Sequence, residues 1–374
     1  VGGSLARALA PAGLSVALVE PKAPRPLPAV GFDQRVYALN GHSRRFLERC
    51  GVWQRLSTER VAPVREMRVF GDDASRIEFS AYRSGVPELA SIVEEANLQQ
   101  ALHSSLSAQS NLTLLTGAKC TSAYWLDTLA TLCLSDDSRV EANLVVGADG
   151  AESALRSAAG IATLVSEYAQ TGVVANFKLG RAHRDIAYQW FSTQGVLALL
   201  PLPGNCASMV WSTPDTHAQL LLAAGAEQLA RMVEEASFGT LGQLQPVSAA
   251  FGFPLRRMRA KRLIGPRLAL IGDTAHNIHP LAGQGLNLGF GDADSLATVL
   301  AARGLESDCG ADSLLRRFER SRREDLLAME VLTDGLQGLF SSNLPGIKGL
   351  RNTGLRLANR FSPLKRLLVK RALG

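Results

Sequence analysis

An α/β fold is predicted for this chain of 374 residues. It combines a Rossmann-like domain assembled from several stretches, an inserted, mostly antiparallel sheet, and C-terminal helices. Three observations predict it. Strand-turn-helix units with Gly and Asp at the turn recur at Gly147-Ala148-Asp149-Gly150 and Gly272-Asp273, and helix-then-strand spacing opens the chain, as in a doubly wound sheet. Between those two Gly-Asp turns lie four short apolar runs separated by brief turns, which read as antiparallel strands. From Gly285 onward the apolar period becomes helical.

In chain order, Leu5 and Leu9 with the alanines around them have helical spacing, and Gly13 ends that helix. Ser15 to Val19 alternates as a strand, closed by Glu20. Pro21 to Pro28 is a proline-rich loop. Asp33-Gln34-Arg35 then leads to a helix from about Ser43 to Cys50. Val64 to Val69 and Arg76 to Phe79 read as strands about the Gly71-Asp72-Asp73 turn. Ile92 to Leu106 has the spacing of one amphipathic helix (Val93, Leu98, Ala101, Leu102, Leu106). Leu112 to Leu115, Thr131 to Leu134 and Leu144 to Gly147 are short apolar strands. The inserted sheet comprises Val173 to Phe177, Ile186 to Phe191, Val196 to Pro201 and Ala207 to Trp211. A helix over Thr216 to Val233 and a returning strand, Phe251 to Arg256, follow. Leu268 to Ile271 runs into Gly272-Asp273, and helices over 285–302 and 313–332 cover the sheet. This reading assigns 1–65, 91–165 and 259–335 to the Rossmann-like domain, 66–90 and 166–258 to the inserted-sheet domain, and 336–374 to a basic amphipathic segment.

Composition narrows the class. The chain is 46% hydrophobic and 20% charged, which suits a globular protein with a sizeable core. It has no apolar run long enough for a membrane-spanning helix, and no basic, cleavable leader is expected from its first residues. The five cysteines (Cys50, Cys120, Cys133, Cys206, Cys309) are scattered, so neither a zinc site nor a disulfide framework is indicated and a reducing compartment fits. His276 and His279 lack carboxylate partners at ligand spacing, so no metal is expected. Net charge is +6, yet Arg351, Arg356, Arg360, Lys365, Arg366, Lys370 and Arg371 fall in the last stretch without an acid. The rest of the chain is near neutral and carries no nucleic-acid recognition motif.

The chemistry sits at the turns. Gly2 fits the third glycine of a G-x-G-x-x-G fingerprint, where a helix packs close to its sheet. Glu20 fits the acid that binds adenosine ribose hydroxyls. The first strand and first two glycines of that fingerprint are not in the sequence, which reads as a truncated start. Gly272 lets backbone approach a ligand closely, and Asp273 can accept a hydrogen bond from a sugar-like hydroxyl. Gly283 and Gly285 open a loop, so that free N–H groups at the next helix start can face negative charge.

Across Gly272-Asp273 and the run from His279-Pro280-Leu281 to Gly283-Gln284-Gly285 and Asn287, the chain resembles the class A FAD-dependent aromatic monooxygenases. More narrowly, it is similar to the prenylphenol hydroxylases of ubiquinone biosynthesis. Asp149-Gly150 and Arg156 match a further motif of that family, and the resemblance extends over essentially the whole chain. It implies a para-hydroxybenzoate-hydroxylase-like fold. It also implies FAD as cofactor, and NADH or NADPH as a transient reductant without a domain of its own. Reduced flavin would take O2 to a hydroperoxide that hydroxylates an electron-rich phenol. The residues implied for FAD are Gly2, Glu20, Arg35, Asp149, Gly150, Arg156, Gly272, Asp273, Pro280, Gly283, Gln284, Gly285 and Asn287, with His279 and Pro280 near the flavin ring. Glu95, Asn97 and Gln99 are equal candidates for one further polar contact.

Leu197, Leu199, Leu200 and Pro201, with Leu281, are expected either as walls of the phenol pocket or as plain sheet core. The basic C-terminal segment would lie on anionic lipid, pack on the body, or meet a partner in a biosynthetic complex. The expected location is cytoplasmic and peripheral to the inner membrane. The phenolic substrate would be hydrophobic. The alternatives are a hydroxylase of another small phenol and a non-catalytic subunit of a quinone-biosynthesis complex.

Overall fold

The computed structural model describes residues 1–71, 75–277, 284–304 and 307–341. His279, Pro280, Leu281, Gly283 and the basic segment beyond Ser341 lie outside the described residues.

The Rossmann-like part begins with the helix Gly2–Ala8, and Gly13 turns the chain in the left-handed region. Strand Val16–Glu20 then pairs in parallel with Leu112–Thr116. Strand Val145–Gly147 pairs in parallel with Leu268–Leu270. These two parallel pieces are separate sheets, and residues of both line one cavity. The helices Gly2–Ala8, Glu95–Leu106 and Gln284–Ala301 cover them. Leu5, Phe46, Leu98, Leu268, Ile271, Phe290, Leu296 and Phe318 belong to one buried core.

The inserted sheet is larger than the sequence suggests. Its strands run in the order His276–Asn277, Phe251–Ala260, Thr163–Leu179, Cys206–Pro214, Gly195–Leu202, Ile186–Ser192, Glu66–Phe70, Arg76–Ser80. All these pairs are antiparallel except Ile186–Ser192 with Glu66–Phe70, which is parallel. The long strand Thr163–Leu179 bulges between Glu167 and Gln170. One face of the sheet packs on the helices Asp215–Ala223 and Ala226–Ala236 through Leu197, Leu199, Met209, Trp211, Leu221, Leu229 and Val233.

Three segments depart from the sequence expectation. Ile92 and Val93 are not helical: they lie in strand Ala90–Glu94, which takes strands on both sides, Val36–Leu39 and Ala62–Val64. The helix starts only at Glu95. Short apolar runs suit a strand or a helix equally, and the available pairing partners decide. Val64 and Val69 fall in separate strands of separate sheets. The expected helix over Thr216 to Val233 is two, broken at Ala224-Gly225, where Ala224 is extended.

Candidate active site

One cavity of about 2360 Å³ runs from the Rossmann-like part to the inserted sheet. It exceeds the usual size of a small-molecule pocket several-fold. Gly2, Glu20, Arg35, Asp149, Gly150, Asp273, Gln284 and Gly285 all line it. Residues far apart in sequence thus share one wall, each brought there by a strand end, a turn or a helix start.

The Asp149-Gly150 turn is anchored twice. The Asp149 carboxylate accepts from Ser153 Oγ at 2.6 Å and from the Leu155 backbone N–H at 3.3 Å. Ser153 in turn caps the helix Ala154–Ala158 by accepting from the Arg156 N–H at 2.9 Å. Gly150 has φ 89°, a conformation open to glycine. Its N–H donates to Thr274 Oγ1 at 3.0 Å. The same hydroxyl donates to Asp149 at 3.2 Å, so Thr274 ties the two Gly-Asp turns together.

Gly272 also adopts a left-handed φ, 60°, and a Cβ there would stand 3.2 Å from the Val1 side chain. This turn swings Asp273 into the cavity. Burial pushes the Asp273 carboxyl above its ordinary value, and His276 and Arg35 oppose that shift only in part. The Asp273 side chain is exposed to the open cavity and receives no donor among the described hydrogen bonds, so it is suited to accept from a ligand hydroxyl. Gly2 likewise sits against the other turn, since a Cβ on it would be 3.0 Å from Ala148 Cβ.

Arg35 lies on the cavity rim beside Tyr37 and Glu95. Its guanidinium is 3.5 Å from the Glu95 carboxylate, which also pairs with Arg25 at 2.7 Å. Burial, together with Glu95, pushes the Tyr37 hydroxyl well above its ordinary value, so it stays protonated and can donate. Of the three open candidates on the next helix, Glu95 and Gln99 line the cavity. Asn97 does not: its amide accepts from Ser57 N–H and donates to Ser57 O.

Several expectations are corrected. Arg156 does not reach the cavity wall. It is buried and donates to Thr274 O at 2.8 Å and Ala151 O at 2.7 Å, bracing the two turns. Asn287 is also absent from the wall. Its amide oxygen accepts from Asn40 N–H and Ser43 Oγ, and its nitrogen donates to Ala38 O. It fastens the 284–301 helix to the start of helix Gly41–Arg49. Leu197 and Leu199, at 2% and 1% exposure, sit in the sheet-helix core, and Pro201 is buried off the cavity. Strand alternation instead turns Val196, Ala198 and Leu200 to the cavity. Met67, Val69, Phe251 and Phe253 extend this apolar wall.

Thr274 and Asp292 were missed in the sequence. Asp292 is the lone acid on the buried face of helix Gln284–Ala301, among Leu288, Ala293 and Leu296. An acid on an apolar stripe was the signal that could have found it. Among the described residues, no group of His, Cys, Asp and Glu is arranged to hold a metal ion.

This geometry fits FAD. Gly2 and Gly150 bring bare backbone to the cavity, the Asp273 carboxylate and an acid at a strand end face it, and its volume accommodates a dinucleotide and a second molecule. Comparison with known proteins agrees. The FAD binding domain family matches residues 1–332. The ubiquinone hydroxylase UbiL of Rhodospirillum rubrum is 37% identical over 375 residues, covering 100% of this chain and 87% of that protein. The 3-demethoxyubiquinol 3-hydroxylase of Escherichia coli is 36% identical over 376 residues, covering 100% of this chain and 96% of its own length. Among solved structures, PqsL, a probable FAD-dependent monooxygenase from Pseudomonas aeruginosa, shares the fold with a TM-score of 0.77 at 22% identity, covering 95% of this chain and 96% of that one. The chain therefore belongs to the FAD binding domain family and, within it, to the FAD-dependent aromatic hydroxylases of ubiquinone biosynthesis.

Proposed function

We propose that this enzyme hydroxylates the ring of a polyprenylphenol intermediate of ubiquinone biosynthesis, consuming O2 and NADH or NADPH. One observation carries the reading. The cavity that holds the FAD-facing turns is continuous with an apolar chamber on the inserted sheet.

Bound FAD supplies the redox chemistry and the activation of O2. The chain supplies the rest. Asp273 and Glu20 accept from cofactor hydroxyls, and Arg35 offers a permanent positive charge with a fork suited to phosphate oxygens. Gln284 and Gly285 open the 284–301 helix, whose free N–H groups and dipole favour negative charge beside them. Val196, Ala198, Leu200, Val69, Phe251 and Phe253 surround the aromatic ring and keep water out. No second glycine fingerprint occurs in the sequence, so the nicotinamide would reach the flavin transiently through the open cavity. The basic segment 351–374 would bring the enzyme to anionic lipid, where a polyprenyl substrate resides. Among the described residues no helix is long and apolar enough to cross a membrane.

The test is NAD(P)H oxidation by FAD-loaded enzyme, with product analysis, comparing prenylated phenols with the same phenols lacking the chain. Ring hydroxylation that depends on the prenyl group supports the reading. Equal turnover of the bare phenols would favour a hydroxylase of small phenols instead.

A further inference from the structure

Beneath the Gly272-Asp273 turn lies a charged cluster that the steps above do not use. Asp292 is 0% exposed, His276 3% and Arg322 6%. One carboxylate oxygen of Asp292, Oδ2, accepts from the Gly272 backbone N–H at 2.9 Å and from His276 Nε2 at 2.6 Å. The other, Oδ1, accepts from Arg322 Nε at 2.8 Å. Arg322 comes from helix Asp312–Ser341, and its guanidinium also donates to Asp325 at 2.6 Å and Leu288 O at 3.4 Å. Burying a carboxylate this deeply is costly unless donors meet it. Here three donors from two segments, the Gly272–His276 turn and helix Asp312–Ser341, converge on it. Burial alone would push its pKa up, but His276 and Arg322 hold it below the ordinary value, so it stays ionised.

The location gives the cluster its consequence. Gly272 is the residue with φ 60° that aims Asp273 into the cavity. The Gly272 N–H is fixed by Asp292 and by nothing else among the described hydrogen bonds. We propose that Asp292 is a positioning residue for the cofactor: its carboxylate, clamped by His276 and Arg322, holds the Gly272 backbone so that Asp273 meets FAD. The inference rests on the reading of Asp273 as FAD-facing. The chain leaves room for the clamp, because Gly291 has no side chain where the Arg322 guanidinium passes. A Cβ there would stand 2.9 Å from Arg322 Nη2.

The experiment is FAD titration of full-length protein stripped of flavin, followed by flavin fluorescence, with thermal unfolding of each apoprotein beside it. Asp292→Asn keeps the shape but puts an amide N–H toward a donor, and is expected to weaken FAD about tenfold, the cost of one charged hydrogen bond. Gly291→Ala pushes the flexible end of Arg322 off Asp292 without touching the turn, favours the helix, and is expected to weaken FAD by a smaller factor. Should Asp292→Asn fail to fold, Gly291→Ala decides. The double variant with Asp273→Asn separates positioning from general support. If Asp292 acts through Asp273, its effect largely disappears in the Asp273→Asn background. Folded variants that bind FAD within about twofold of the parent, or effects that add in full, would overturn the proposal. An Asp273→Asn variant with unchanged FAD affinity would instead sink the reading of the site on which it rests.

Discussion

Thr274 and Asp149, 125 positions apart in the chain, meet at 3.2 Å and join the two glycine turns of the cavity wall. The Thr274 hydroxyl also receives the Gly150 N–H, so this side chain, beside Arg156, ties the two turns together. Thr274→Val keeps the shape and removes the hydroxyl. Losing this pair of bonds is expected to cost about 1 kcal/mol of FAD binding, roughly a fivefold rise in its dissociation constant. Flavin fluorescence titration reads it. An unchanged constant would show that the turns hold their spacing through Arg156 alone.

Asp273 faces the open cavity with its carboxyl held above the ordinary value by partial desolvation. Its folded pKa lies above the model-compound value of 3.8, because burial disfavours the charge. A carboxyl raised in this way binds more protons folded than unfolded. Its contribution to stability therefore grows as pH falls through the window between the two values, and is least favourable above the folded value. Asp273→Asn should accordingly raise the unfolding temperature of the flavin-free protein at neutral pH only slightly, because solvent in the open cavity screens the charge, with the advantage shrinking toward acid. The same variant should bind FAD about tenfold more weakly, since a charged acceptor is replaced by a neutral one. Differential scanning calorimetry across pH checks the first part. An Asn variant less stable than the parent at neutral pH would refute the electrostatic argument.

How far the sequence reached depends on how local each signal is. The Asp149-Gly150 and Gly272-Asp273 turns are legible because a left-handed backbone and a strand end leave marks within a few residues. Asn287 and Arg156 stand in the same motifs, yet their side chains face inward, to Ala38 O and Thr274 O. Motif membership did not distinguish touching the cavity from bracing it. The Asp292–Arg322 contact joins two helices 30 positions apart, and no local pattern announces that pairing. Ile92 and Val93 failed for the complementary reason: two strands of distant origin claim them.

The C-terminal segment is argued from charge alone. Seven cations between Arg351 and Arg371, with no acid among them, should draw the protein to anionic vesicles. Each cation near such a surface is worth about 1 kcal/mol at most, and salt screens it. Deleting residues 351–374 should abolish co-sedimentation with phosphatidylserine-containing vesicles while leaving FAD affinity intact. Raised salt should release the intact protein. Binding that survives the deletion would place the lipid contact elsewhere on the molecule.

Neighbouring positions on one strand separate stability from specificity. Leu199 is 1% exposed and packs with Leu221 and Val233, whereas Ala198 faces the cavity. Leu199→Ala empties part of a dense core that cannot fully collapse, and is expected to cost about 2–5 kcal/mol in denaturant unfolding. It removes no wall from the substrate chamber, so KM for the phenol should hardly move while the protein stays folded. Ala198→Leu does the reverse. The added methylenes enter open space rather than the core, so stability should change by less than about 1 kcal/mol. They occupy the chamber where the ring would lie, so KM should rise several-fold or turnover should fail. A matched pair of unfolding curves and substrate titrations decides the matter. Were Leu199→Ala to raise KM while Ala198→Leu left it unchanged, the alternation would be inverted and the chamber would lie on the helix side of the sheet.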